Sequence, residues 1–239
     1  MKLETLFDEN NILKIDLFHG TSTLFLKGII EKGLGGINPV VDWNLIELSK
    51  EVFELSKIHL KDSELFIISS LSLKAMSEQT NYGAFNFQHG NSYLSPSQQT
   101  AINYAVKQKY GSEILSYIII FLEELLKLDI AYVKNDLSRK FSNVFKLMKL
   151  SPSPILIQIK NIPTSSLQTE HGEDPSLNFV QIQNFQMKSE HLFDILSQQT
   201  NFRLINTIPK NDLIFWLIDI TEFNGFSPDY KLYELLLPD

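Results

Sequence analysis

The chain of 239 residues contains no cysteine. That excludes disulfides, thiolate-bound metals and a cysteine nucleophile, and it fits a reducing compartment. Cations are in the minority, with 21 Lys and Arg against 28 Asp and Glu and a net charge of −7. A general nucleic-acid binder works by neutralising phosphates and needs the opposite balance, so only a local basic patch stays open. Long uncharged apolar runs are missing too. The greasiest, Ile114 to Leu122, is stopped by Glu123-Glu124, and Leu213 to Ile218 is too short to cross a bilayer. The first residues, Met1 to Glu9, lack the apolar core of a signal peptide. The sequence therefore predicts a soluble protein, cytoplasmic or delivered into a host cell by a route that needs no cleaved signal. It has no internal repeat and no low-complexity segment. Its length suits one domain spanning 1–239, with room for an insertion.

The stretch from Asn91 to Ala105 organises what is present. Tyr93 and Leu94 are strand formers. Ser95 is the expected helix N-cap, with Pro96 at the first helical position, where its missing N–H is harmless. Ala101, Ile102, Ala105 and Val106 then share one face at helical spacing. Tyr93 ends the strand and Tyr104 lies almost three turns into the helix. Two readings follow: a pair of core tyrosines beside a well-capped helix, or two rings flanking one cleft.

Upstream, Ile15-Asp16-Leu17-Phe18-His19 alternates as a strand, and Gly20-Thr21-Ser22 reads as a turn into a helix that Gly33 ends. His19 would thus face a helix N-terminus, either as a satisfied structural histidine or as a ligand contact. Gly20 beside it would let the backbone approach a ligand closely. Residues 1–13 suggest a lead-in with a short helical turn. A helical block is expected at about 42–80, and its residues suggest packing. Tyr82 to Phe87 reads as a short strand, 112–128 as an apolar helix, and Lys134 to Leu150 as a basic amphipathic helix. That last helix is a solvated face or a dock for an acidic partner.

After Pro152-Ser153-Pro154 the pattern turns β-like. Strands are expected at Ile155 to Ile159, Leu177 to Gln183, Asn201 to Ile205 and Leu213 to Ile220, with Trp216 buried. A short helix or turn is expected at Ser189 to Gln199 and a last helix at Lys231 to Leu237. Glu170, His171, Glu173 and Asp174 crowd one loop between Asn161 and Asp174. No strand or helix geometry would hold them around a metal, so no metal is expected.

Two of these segments together resemble a known family. Leu17-Phe18-His19-Gly20-Thr21-Ser22, followed by Gly28 to Leu34, resembles the His-Gly-Ser/Thr strand and I-x-x-x-G-L helix of ADP-ribosyltransferases. Tyr93-Leu94-Ser95 and Ala101-Ile102-Asn103-Tyr104-Ala105 resemble the Tyr-Phe-Ala strand and Ser-Ala-Asn-Tyr helix of the diphtheria-toxin-like, poly-ADP-ribose-polymerase-like branch, with the same tyrosine spacing. Phe202 to Ile205 and Ile208-Pro209 resemble the strand and turn after its third catalytic position. The resemblance implies an α+β fold: a split antiparallel sheet around an NAD cleft, with the helical block inserted. It implies that His19 contacts the adenosine ribose and that the Gly20 backbone grips the nicotinamide amide. Tyr93 and Tyr104 would sandwich the ring, with stacking and cation–π energy of roughly 0.5–2 kcal/mol. Thr21, Ser95 and Gln199 would complete the NAD contacts.

The sequence departs from the family pattern twice. A Ser that grips the amide falls at Ala101, with Thr100 beside it. The usual Glu, often within Gln-x-Glu, is matched by Gln199-Thr200-Asn201. An amide can bond a ribose hydroxyl, but it supplies neither negative charge nor a base. Asn201 thus implies a slow or substrate-assisted enzyme, another acid such as Glu190 or Glu222 in the site, a replaced residue, or a domain that only binds. The expectation is a mono-ADP-ribosyltransferase, a bacterial or phage toxin or effector, whose catalytic set is Asn201, His19 and Tyr93. It would move ADP-ribose from NAD to a macromolecular acceptor, a protein rather than a nucleic acid, with an inhibitor or antitoxin as a possible partner. The alternatives are an inactive NAD- or ADP-ribose-binding module and an RNA 2′-phosphotransferase, which would need several basic residues around Tyr93.

Overall fold

The computed structural model describes residues 6–82, 85–185, 188–223 and 228–237. In chain order its elements are β1 (Leu17–Ser22), α1 (Thr23–Lys32), the single turn α2 (Pro39–Asp42), α3 (Leu45–His59) and α4 (Glu64–Glu78). The short strands β2 (Asn81–Tyr82), β3 (Phe85–Asn86) and β4 (Ser92–Leu94) precede α5 (Gln98–Lys107) and α6 (Glu113–Lys127). Then come a π-helical turn (Val133–Leu137), α7 (Ser138–Lys140), α8 (Ser142–Leu147), β5 (Pro154–Ile159), β6 (Leu167–Thr169), α9 (Ser176–Phe185), α10 (Glu190–Ser197), β7 (Phe202–Leu204), β8 (Leu213–Phe223) and β9 (Pro228–Glu234). The protein is mixed α+β, with its strands paired antiparallel.

The chain divides into two compact units. One comprises Met1–Ile37, Asn91–Gly111 and Ser153–Asp239, and the other Asn38–Gly90 and Ser112–Pro152. The second unit is helical. α6 carries the apolar run, and Ile114, Leu115, Ile118, Ile119, Phe121, Leu122 and Leu125 are all buried, as expected of a helix that is apolar nearly all round. α3 and α4 occupy the expected helical block; α3 buries Leu45, Leu48 and Val52, and α4 buries Leu73 and Met76. The basic stretch from Lys134 to Leu150 is not one helix. It breaks at Phe141, which leaves helical dihedrals (φ −113°, ψ 42°) and is buried. Lys140, from this stretch, pairs with Glu47, 2.7 Å away, and with Glu51 on α3.

The first unit holds two antiparallel sheets, ordered β1-β5-β8-β9 and β4-β7-β6. β1 runs straight through Gly20-Thr21-Ser22, because the ladder to β5 continues to Thr21↔Ile155 and Ser22↔Pro154. The expected turn there is strand, and α1 begins directly after it. α5 starts later than expected. Both backbone groups of Ser95 bond Phe18, and its hydroxyl accepts the Ser97 N–H, so the chain is still extended at 95. Pro96 also disfavours helical dihedrals in the residue before it. Ser97 is the N-cap instead, its oxygen accepting the Thr100 N–H.

Leu177 to Gln183 is helix, not strand. Phe179 and Ile182 lie one turn apart, and Phe179 stacks on Phe202 with centroids 5.3 Å apart while Phe7 meets its edge. A short apolar run does not distinguish the two states. The expected C-terminal helix is strand β9, whose residues pair with long β8 as Ile218↔Leu232 and Ile220↔Tyr230. Trp216 is half-buried, its Nε1–H donating to Gln158 Oε1 at 3.1 Å. The Tyr82 to Phe87 stretch is the β2–β3 pair, its residues 83 and 84 lying outside the described residues. In the lead-in, Phe7 bridges Leu13 and the Asp8 carboxylate accepts the N–H of Asn10 and Ile12, while residues 1–5 lie outside the described residues.

Candidate functional site

The two sheets of the first unit meet at one antiparallel pair, Phe18 with Ser95. The Phe18 N–H donates to the Ser95 carbonyl at 2.8 Å and the Ser95 N–H to the Phe18 carbonyl at 2.9 Å. Antiparallel pairing alternates, so the backbone groups of Leu17, His19 and Thr21 point to β5, whereas those of Phe18, Gly20 and Ser22 point away. A continued ladder would pair Gly20 with Tyr93. It does not continue. The strands part after Phe18–Ser95, and the amide and carbonyl of the buried Gly20 point away from β5 with no ladder partner on β4.

The imidazole of His19 takes one of the groups left by this parting. Its Nδ1 lies 2.8 Å from the Tyr93 carbonyl oxygen. A carbonyl only accepts, so Nδ1 carries the hydrogen and, in the neutral ring, Nε2 presents a lone pair. Burial lowers the pKa of His19 below the ordinary histidine value, opposed by the bond to Tyr93. The neutral form therefore dominates at pH 7, and Nε2 can accept a hydroxyl hydrogen.

Gly20 is required first by packing. A Cβ there would stand 1.9 Å from the Ala101 carbonyl oxygen of α5. With only a hydrogen in the way, α5 lies down on β1, and Ala101, Ile102 and Ala105 join Leu156 and Ile218 in one buried cluster. Tyr104 lies outside this buried cluster, at the flank of the helix, and is 39 % exposed.

The small sheet has two unlike faces. Leu94, Phe202, Leu204 and Leu167 are buried on one. By the two-residue alternation, the other carries Tyr93, Arg203 and Gln168 in one cross-strand row. Ser95, Asn201 and Glu170 lie one residue beyond the ends of these strands. Tyr93, Arg203, Gln168, Asn201 and Glu170 are half-buried. Asn201 Nδ2 lies 3.5 Å from Glu170 Oε2. Arg203 has a buried Nε without a partner among the described residues, and its Nη1 lies 3.3 Å from where a Cβ on Gly172 would be.

Three expected contacts are otherwise engaged. The Thr21 hydroxyl is buried and donates to the Gly111 carbonyl at 3.0 Å. Ser95 is buried and its hydroxyl is held in the turn to Ser97. Gln199 is exposed in the turn after α10. Thr100, beside Ala101, donates its hydroxyl to the Gln198 carbonyl at 3.4 Å. That bond ties α5 to the segment leading to Asn201. Asp194 of α10 adds a second tie, accepting from Ser97 Oγ at 3.1 Å and from the Gln99 N–H at 3.3 Å.

So β1 and β4 bring His19 and Tyr93 together, and the residue before β7, Asn201, stands beside Glu170. Sequence reasoning missed Arg203 and the position of Glu170. The two-residue alternation through Asn201 and Arg203 could have flagged the first. Glu190 and Glu222, the acids considered from sequence, are exposed. Among the described residues no group of three His, Asp or Glu side chains is arranged to hold a metal ion. Compared with protein-family models, curated proteins and solved structures, the chain matches none at a significant level.

Proposed function

We propose that this protein is a mono-ADP-ribosyltransferase that splits NAD at the opening between β1 and β4 and passes ADP-ribose to a macromolecular acceptor. The observation that carries the reading is the parted ladder. A carboxamide offers one N–H donor and one carbonyl acceptor, and the Gly20 backbone, turned away from β5, offers their complements side by side. Nicotinamide bound there would lie by the Tyr93 ring, with Tyr104 on the adjoining helix as the second aromatic wall. The His19 Nε2 lone pair suits a ribose hydroxyl. Breaking the C1′–N bond sends its electron pair into the pyridinium ring, neutralising it, and leaves an oxocarbenium-like ribose. An acceptor N–H or O–H attacks C1′ and releases its proton to a base or to water.

Labelled NAD with purified protein and a lysate tests this. The expected result is nicotinamide release with label on an acceptor. Neither NAD cleavage nor transfer by the wild type and by Asn201→Glu would overturn the enzymatic reading. The uncharged Asn201 favours a second reading, a module that binds NAD without cleaving it. Calorimetry with NAD showing binding in a protein inert in both forms would select that one.

A further inference from the structure

We infer that Glu170 supplies the carboxylate of this site, with Asn201 holding it in place, an assignment that rests on the NAD reading above. An oxocarbenium-like centre is stabilised by fixed negative charge, and an amide has none. The β6–β7 register solves this from the neighbouring strand. Thr169 pairs with Phe202 as the last pair of that ladder, and Glu170 and Asn201 are the residues directly beyond it on the two strands. Glu170 Oε2 lies 3.5 Å from Asn201 Nδ2. An amide N–H pointing at a carboxylate fixes that carboxylate's position without neutralising it.

The other acids of this loop do not compete for the role. Glu173 and Asp174 are exposed, and Asp174 accepts the Ser176 N–H. The loop itself is closed by the Thr169 N–H to the Glu173 carbonyl and the Gly172 N–H to the Thr169 carbonyl, both at 2.9 Å, so Glu170 sits at the base of a tight turn. In the reaction Glu170 faces the positive charge that develops at C1′ as nicotinamide leaves with the bonding electrons. It then takes the proton that the acceptor loses on forming the new C1′ bond. The sum is NAD plus acceptor giving ADP-ribosyl acceptor, nicotinamide and one proton.

The test is a charge swap read by nicotinamide release and NAD calorimetry on the full chain. Glu170→Gln should bind NAD as the wild type does and lose roughly 10²–10³-fold in kcat. Glu170→Gln combined with Asn201→Glu puts the carboxylate on the other strand and should recover most of that loss, which a merely structural Glu170 would not allow. Glu170→Gln cleaving NAD at the wild-type rate overturns the assignment and leaves the enzymatic reading standing. A wild type that binds NAD but does not cleave it overturns the assignment and leaves the binding module. A wild type that does neither overturns both.

Discussion

Replacing Gly20 by Ala tests the structure at its tightest point. The new Cβ would lie 1.9 Å from the Ala101 carbonyl oxygen, against the 3.4 Å at which ordinary contact begins. The obstacle is backbone on both sides, since the Ala105 nitrogen also lies 3.0 Å away. No rotamer change relieves it. α5 must move off β1 by about 1.5 Å, and a gap of even 0.5–1 Å forfeits about a quarter to a half of the dispersion energy across it. Overpacking of this kind costs about 3 kcal/mol. At roughly 2–4 °C per kcal/mol for a chain of this size, Tm should fall by about 6–12 °C. Urea denaturation followed by Trp216 fluorescence, in a Trp43→Phe background, reads the first unit directly. Gly28→Ala is the control. It lies inside α1 and its Cβ first meets the flexible Ile37 Cδ1 at 3.0 Å, so helix propensity should leave it neutral or up to about 1 kcal/mol more stable. Equal midpoints for Gly20→Ala and the wild type would refute the described docking of α5 on β1.

Asp194→Ala removes the acceptor of Ser97 Oγ and the Gln99 N–H at the α5 N-terminus and should lower unfolding free energy by about 1–2 kcal/mol in urea titration. Tyr104→Ala should weaken NAD binding about 5–30-fold by calorimetry, the loss of one stacking wall. Burial depresses the pKa of His89 to about 4, and its buried Nε2 has no partner among the described residues. The folded state then holds fewer protons than the unfolded state below the ordinary histidine pKa, so stability is full above about pH 6.5 and is lost as pH falls towards 4. The loss should approach about 3 kcal/mol and be absent from His89→Gln in denaturation at stepped pH. Arg203→Met removes a buried, unpartnered Nε and should raise stability by about 1 kcal/mol in the same titration.

Local pattern was enough for β1, β5, β7 and β8, because each alternates or runs apolar between turn residues. It was also enough for α6, whose run of apolar residues is long enough for a buried helix. It failed where a distant partner decides. Lys231 to Leu237 holds helix formers, yet Tyr230 and Leu232 are drawn into strand by Ile220 and Ile218. Phe179 belongs to a helix because its ring has Phe202 and Phe7 to pack on. At the site, residue types were legible and reasons were not. Gly20 was singled out for backbone access, whereas its missing side chain is first taken up by Ala101. The parting of the sheets depends on the register between β1 and β4, some 75 residues apart, which leaves no mark in either strand alone.

Asn201 shows how far this matters. In the linear sequence it reads as a lost carboxylate. In the structure its amide lies 3.5 Å from the Glu170 carboxylate. Two carboxylates at that separation could not both ionise freely, since each would raise the pKa of its neighbour. An amide at 201 instead offers the Glu170 carboxylate a hydrogen-bond donor. By the same reasoning, Asn201→Glu alone should set two like charges side by side at a cost in stability, and only exchanging both residues should restore one carboxylate beside one amide.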